Sequence, residues 1–224
     1  MESRDDVRGY TVTTSAIKVE PRPHANQRSM LVTIALVVLL AAAAPLAFLY
    51  RGDHYGLASN RPAADFMLRD TLGQARSLAD FHGQYVYLMF GYLNCPDVCH
   101  TQALLFEEIA LAAMDAPIAF AYIAIDPERD SPEQVARYFD SRGAAFTSLH
   151  GTKRNEMQAI ANAYGAYFAE GPGKDSGNYA VNHSALFFLL GPDGNLRYSY
   201  LAAQNAVPEL IGDLQTLQRE YNRT

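Results

Sequence analysis

The chain holds two cysteines in 224 residues, Cys95 and Cys99, and they sit in the run Cys-Pro-Asp-Val-Cys. If that run is helical, the two sulfurs lie one turn apart on one face and can reach a single ion. Two thiolates form a soft donor set, suited to Cu(I) or Zn(II) rather than to Mg or Ca. Pro96 can open the helix, which places Cys95 at its positive end, where a thiolate is favoured. The same pair also reads as a redox dithiol, one sulfur attacking a partner's disulfide and the other resolving the mixed disulfide. A third reading is simple buried packing. Only one internal disulfide can exist, Cys95 to Cys99, so a multi-disulfide scaffold is excluded.

A third ligand would decide among these readings. Of the six histidines, His24 falls in an N-terminal tail, His54 in a linker, His82 beside a glycine turn and His150 near a strand end. All four read as exposed surface. His183 differs, because it stands where a glycine-rich loop meets an apolar strand and a sheet edge can face the cysteine loop. His100, directly after Cys99, reads either as an exposed helix residue or as an alternative ligand that would raise thiolate character when protonated.

These side chains need a scaffold, and the hydrophobic pattern supplies one. Tyr85 to Leu93 is nearly continuously apolar, as in a central strand covered on both faces, and it leads directly into the cysteine loop. Thr101 to Met114 is apolar at helical spacing. Ile118 to Asp126 is a second buried strand, and Ser131-Pro132-Glu133-Gln134 is a helix start with a capping residue and proline in the first turn. Phe66 to Phe81 suggests a short hairpin or strand with a turn of helix. Glu156 to Phe168 reads as a helix, and residues 171–177 as a mobile loop. Ala185 to Leu190 and Leu196 to Tyr200, joined by Gly191-Pro-Asp-Gly-Asn195, read as a β-hairpin. A helix over Pro208 to Tyr221 closes the chain. The order is that of an α/β thioredoxin-like fold, a central sheet flanked by helices.

With 49% hydrophobic and 19% charged residues the composition is globular, and a formal charge of −6 offers no field for nucleic acid. Residues 30–50, MLVTIALVVLLAAAAPLAFLY, are uncharged and bracketed by Arg28 and Arg51. That length suits a bilayer crossing of about 20 residues. A cleaved signal peptide and a buried helix are the competing readings. The expected organisation is a flexible cytoplasmic tail over 1–29, an N-terminal transmembrane helix over 30–50, a linker over 51–63 and one domain over 64–224. Basic residues do not fix the orientation: Lys18, Arg22 and Arg28 flank one side, Arg51, Arg61 and Arg69 the other. The short tail and the thiol chemistry place the domain outside the cytoplasm.

Three blocks carry a resemblance. Gly91-Tyr-Leu-Asn-Cys-Pro-Asp-Val-Cys99, Ile125-Asp-Pro-Glu-Arg-Asp-Ser-Pro132 and Val181-Asn-His-Ser184, running into Phe187 to Gly194, are similar to the signature blocks of the Sco/SenC proteins. They occur in the family's order, within residues 64–222. The resemblance implies a thioredoxin fold, a membrane anchor and a copper site, Cu(I) and also Cu(II), made by Cys95, Cys99 and His183. It implies a metallochaperone for the binuclear copper centre of cytochrome c oxidase subunit II or another copper protein. The alternatives are a thiol-disulfide reductase acting on that subunit's cysteines through Cys95 and Cys99, or a redox or copper sensor. The implied compartment is the bacterial periplasm, or the mitochondrial inner membrane. Asp126 matches a family aspartate with a tuning role; read locally, it is a strand-ending turn and cap. Leu93, His100 and Asn182 depart from the family's usual Thr, Pro and Asp. Generic thioredoxin catalysts carry C-x2-C and a proline before the facing strand, neither of which is present here.

Overall fold

The computed structural model describes residues 27–49, 54–95, 98–172, 179–201 and 206–223. The chain divides into two units, Met1–Arg51 and Gly52–Thr224. In the first, helix α1 spans Gln27–Leu49. Its side chains are described over 29–43 and all are exposed. Among the described residues no helix is long and apolar enough to cross a membrane, which leaves the span expected over 30–50 as an inference from sequence. The tail over 1–26 lies outside the described residues.

The second unit is built on an eight-stranded sheet. Strands β1 (Leu57–Pro62), β2 (Met67–Asp70), β3 (Ala75–Ser77), β4 (Tyr85–Gly91), β5 (Ile118–Ala124) and β6 (Phe146–His150) belong to it. Strands β7 (Phe168–Glu170) and β8 (Val181–His183) form a separate ribbon, while β9 (Leu186–Leu190) and β10 (Asn195–Leu201) return to the sheet. The order across it is β1-β10-β9-β4-β5-β6-β2-β3. At the centre β4, β5 and β6 run parallel, and β9 lies antiparallel to β4. All seven residues of β4 are buried, as its unbroken apolar run requires of a strand covered on both faces.

Helices α2 (Val98–Ala112), α3 (Pro132–Tyr138), α4 (Arg154–Tyr164) and α5 (Val207–Tyr221) complete the unit. Ser131 caps α3 as its sequence dictates: its hydroxyl accepts from the Gln134 N–H while the Gln134 side chain accepts from the Ser131 N–H. Gly165, at φ 84°, ends α4 four residues before the expected Phe168 and frees Phe168 for strand β7. Stacked rings fill the core, with Phe120 against Phe146 at 4.6 Å and Phe187 against Tyr200 at 4.9 Å.

The linker expected over 51–63 is corrected by β1, which pairs antiparallel with β10 from Leu57 to Pro62. Residues 51–53 lie outside the described residues. The segment looks like linker because an edge strand can expose most of its side chains, and Pro62 is tolerated at the strand's end. A buried carboxylate fixes this corner: Asp213 on α5 accepts from the Tyr55 and Gly56 backbone N–H groups at 3.0 and 2.8 Å.

Candidate metal centre

Strand β4 ends at Gly91, and the chain turns back at once, the Cys95 N–H donating to the Tyr92 carbonyl at 3.2 Å. Cys95 lies in this turn, ahead of α2, and Cys99 is the second residue of the helix. Pro96, expected to start the helix, lies outside the described residues together with Asp97. Both sulfurs point inward, at 4% and 1% residue exposure, and both are thiols in this structure. Gly91 lets them pack there. A Cβ at this position would sit 3.0 Å from the Cys99 Sγ and 2.7 Å from the Tyr122 ring.

His183 ends β8, directly opposite Phe168 of β7. Its Nε2 lies 3.6 Å from the Cys95 Sγ and 3.5 Å from the Cys99 Sγ. The opposite nitrogen, Nδ1, lies 3.1 Å from the Ser184 carbonyl. A carbonyl only accepts, so Nδ1 carries the proton and the Nε2 lone pair faces the two sulfurs. The three donor atoms lie within 4.8 Å of one another. Bonds of about 2.3 Å to sulfur and about 2.0 Å to imidazole nitrogen, spread at about 120°, place nitrogen and sulfur about 3.7 Å apart. The observed separations match a soft ion held at the centre of a triangle.

The Cys99 thiol is pushed far up, first by its hydrogen bond with Cys95 and then by burial. A metal that binds this sulfur must displace its proton.

Residues not expected from spacing hold the histidine side. Tyr92, from the cysteine turn, meets the His183 ring edge-on at 5.7 Å, and its hydroxyl accepts from the Val181 N–H at 3.2 Å. Asp126 is fully buried at the end of β5. Its carboxylate takes Arg129 at 2.5 Å, Arg154 at 2.9 Å and the Tyr179 hydroxyl at 3.2 Å. Arg129 lies 3.7 Å over the Tyr179 ring and donates to the Tyr179 carbonyl at 2.7 Å, and Arg154 reaches Glu170 of β7 at 2.7 Å. The network grips the β7–β8 ribbon just ahead of His183. Asp130, also buried, accepts from the Leu93 N–H at 3.2 Å through both oxygens and so braces the cysteine turn. Burial pushes its carboxyl up to about 7, against the pull of the Leu93 N–H.

This arrangement has a family. A model described as SCO1/SenC matches residues 57–219. The chain belongs to the SCO1/SenC family. It is 36% identical over 154 residues to the human mitochondrial protein SCO2 homolog, covering 66% of this chain and 56% of that one. Copper-bound ScoI of Bradyrhizobium japonicum superposes with a TM-score of 0.60 at 30% identity, covering 70% of this chain and 98% of that structure. Apo Sco1 of Thermus thermophilus gives 0.64 at 29% identity, covering 74% and 96%. The α/β thioredoxin-like fold expected from the sequence is thus the one these proteins share. The chain spans about half the length of the curated relatives it matches.

In this SCO1/SenC chain the structure brings Cys95, Cys99 and His183 together and leaves the other candidates outside. His100 is exposed and packs its ring edge-on to Tyr138 at 5.2 Å. Asn182 is exposed, because neighbouring residues of β8 alternate faces and His183 takes the inner one. Asp126 is not among the grouped donors; it acts on the ribbon, through arginines and Tyr179. His82 is exposed as expected, whereas His54 and His150 are half-buried, bonded to the Tyr198 hydroxyl at 2.8 Å and the Asp70 carbonyl at 3.1 Å. His24 lies outside the described residues. The second block, which contains Arg129 and Asp130, was the available signal for the bracing residues; Arg154 and Tyr179 had none.

Proposed function

We propose that this protein is a copper metallochaperone that holds the ion between the Cys95 and Cys99 sulfurs and His183 Nε2. The observation that carries this reading is the convergence of two buried sulfurs and a correctly oriented imidazole lone pair within 4.8 Å. Such a donor set fits Cu(I), and the imidazole accommodates Cu(II). Copper is cargo here. Three ligands leave room for a partner's ligand to join, so the ion can pass by exchange without being released to water. Membership of the family supports a recipient in cytochrome c oxidase assembly, and we assign the binuclear copper centre of subunit II as that recipient. The uncharged run over 30–50 supports a membrane anchor, with the sheet-bearing unit from Leu57 onward as the copper-binding domain outside the cytoplasm, in a bacterial periplasm.

The reductase alternative uses the same sulfurs. Copper stoichiometry and affinity of the reduced full-length protein, measured beside His183→Ala, test the reading. One tightly bound copper that depends on His183 is expected. Negligible uptake, with a Cys95–Cys99 disulfide that cycles readily, would replace the chaperone with the reductase.

A further inference from the structure

Beside Cys99 the structure holds a polar atom that the site described above does not use. Tyr122, in the middle of β5, is completely buried, and its hydroxyl has no hydrogen-bond partner among the described residues. A buried hydroxyl without a partner is destabilising, because it has given up water for nothing. The ring is locked by neighbours, lying 5.2 Å from Phe139 and 6.2 Å from Tyr138, so the oxygen has little freedom to seek solvent. Its surroundings show what it faces. A methyl group placed on Gly91 would lie 3.1 Å from the Tyr122 hydroxyl and 3.0 Å from the Cys99 Sγ, so oxygen and sulfur border the same small space, with no hydrogen bond between them while the sulfur is a thiol.

A neutral thiol is a weak acceptor, whereas a sulfur carrying negative charge is a strong one, and hydrogen bonds to charged groups are the strong class. Hydrogen bonding to a ligand sulfur also tunes the metal it holds. We infer that Tyr122 is a positioning residue whose hydroxyl donates to the Cys99 sulfur when that sulfur serves as a metal ligand, withdrawing charge from it and favouring Cu(I) over Cu(II). Gly91 belongs to the same device, since a side chain there would collide with the Tyr122 ring at 2.7 Å and crowd the Cys99 Sγ at 3.0 Å. The inference rests on the reading of Cys99 as a copper ligand.

The test is Tyr122→Phe in the full-length protein, which keeps the ring and deletes only the donor. Loaded with Cu(II), the variant is expected to show its sulfur-to-copper charge-transfer band at longer wavelength than wild type. Its relative preference for Cu(I) over Cu(II) should fall about tenfold, the size of one charge-assisted hydrogen bond. A band and preference equal to wild type, together with a raised Tm, would make the phenol a buried cost and overturn the inference. Tyr138→Phe is the matched control, because it deletes a second buried hydroxyl that lacks a partner among the described residues. An equal shift in both variants would mean a general loss of polarity and would also overturn it.

A separate arm needs no copper. Glutathione disulfide oxidises the Cys95–Cys99 dithiol, giving two glutathione thiols and one internal disulfide, with two electrons and two protons passing to glutathione. The metal-free sulfurs are thiols and take no hydrogen bond from the phenol, so this equilibrium should match wild type in Tyr122→Phe; a several-fold shift would tie the phenol to the dithiol rather than to a metal-bearing sulfur and overturn the inference. If wild type takes up no copper, the copper reading fails and the inference with it; copper bound by both proteins with equal band and preference overturns the inference alone.

Discussion

The two sides of the site are built differently. The cysteines are part of the core: Cys95 and Cys99 follow a strand buried at every residue, and both thiols pack among aromatic rings. The histidine arrives on a three-residue strand of a two-stranded ribbon, held to the body by a buried carboxylate, two arginines and two tyrosines. Apolar packing is continuous and tolerant, whereas a polar network depends on each member being satisfied. The thiol pair is therefore the fixed half of the site, and His183 the adjustable half.

The comparison can be broken from the fixed side. Cys95→Ala or Cys99→Ala is expected to abolish tight copper binding, a loss beyond the 10–100-fold typical of supporting residues, while stability changes modestly; equilibrium dialysis and thermal denaturation check both. Retained tight binding by either variant would end the two-thiolate reading.

On the other side, Asp126→Ala leaves Arg129 and Arg154 without their shared carboxylate. Breaking a buried ion pair from one end costs about 3–5 kcal/mol, so chemical denaturation should show a large loss. Copper affinity should fall with it as the ribbon loosens. Loss of stability with undiminished affinity would show that the network does not position His183.

A pH series sharpens the cysteine side. The Asp130 carboxyl is pushed up to about 7, above its ordinary value, chiefly by burial. The sign follows from linkage: its contribution to stability is complete below about pH 4 and is lost as pH rises through about 7, amounting to roughly 2–4 kcal/mol. Asp130→Asn keeps an oxygen for the Leu93 N–H and cannot ionise. Its denaturation midpoint should therefore fall less than wild type's between pH 5 and pH 8; parallel profiles would place the effect elsewhere.

Smaller effects separate the two histidines. His183→Ala should weaken copper by about 100-fold and leave the fold intact, whereas His100→Ala should bind copper within a factor of about two of wild type. Titrations of both variants in one competing chelator give the ratio directly.

Much of this was legible in the chain itself. Continuous apolar runs gave β4 and β5, the Ser131 capping box gave α3, and the glycine-rich turn gave the β9–β10 hairpin, because each is set by neighbours in sequence. The edge strand β1 was read as linker because exposed edge residues are polar, which is also what a linker looks like. The end of α4 is hidden in the sequence for a related reason: Ala166, Tyr167 and Phe168 continue a helical composition, and only the positive φ of Gly165 stops it.

What the sequence by itself determined was the order of elements, the two thiols beside a buried strand, and the three blocks that mark the family. Those are local facts, carried by spacing and composition. Tertiary structure alone decided which histidine nitrogen faces the sulfurs, that Asp126 serves the ribbon rather than the site's donor set, and that an unsatisfied Tyr122 hydroxyl lies beside Cys99. These depend on contacts between residues about 20 to 90 positions apart. Such contacts follow from how sheet and ribbon pack, which no local pattern encodes.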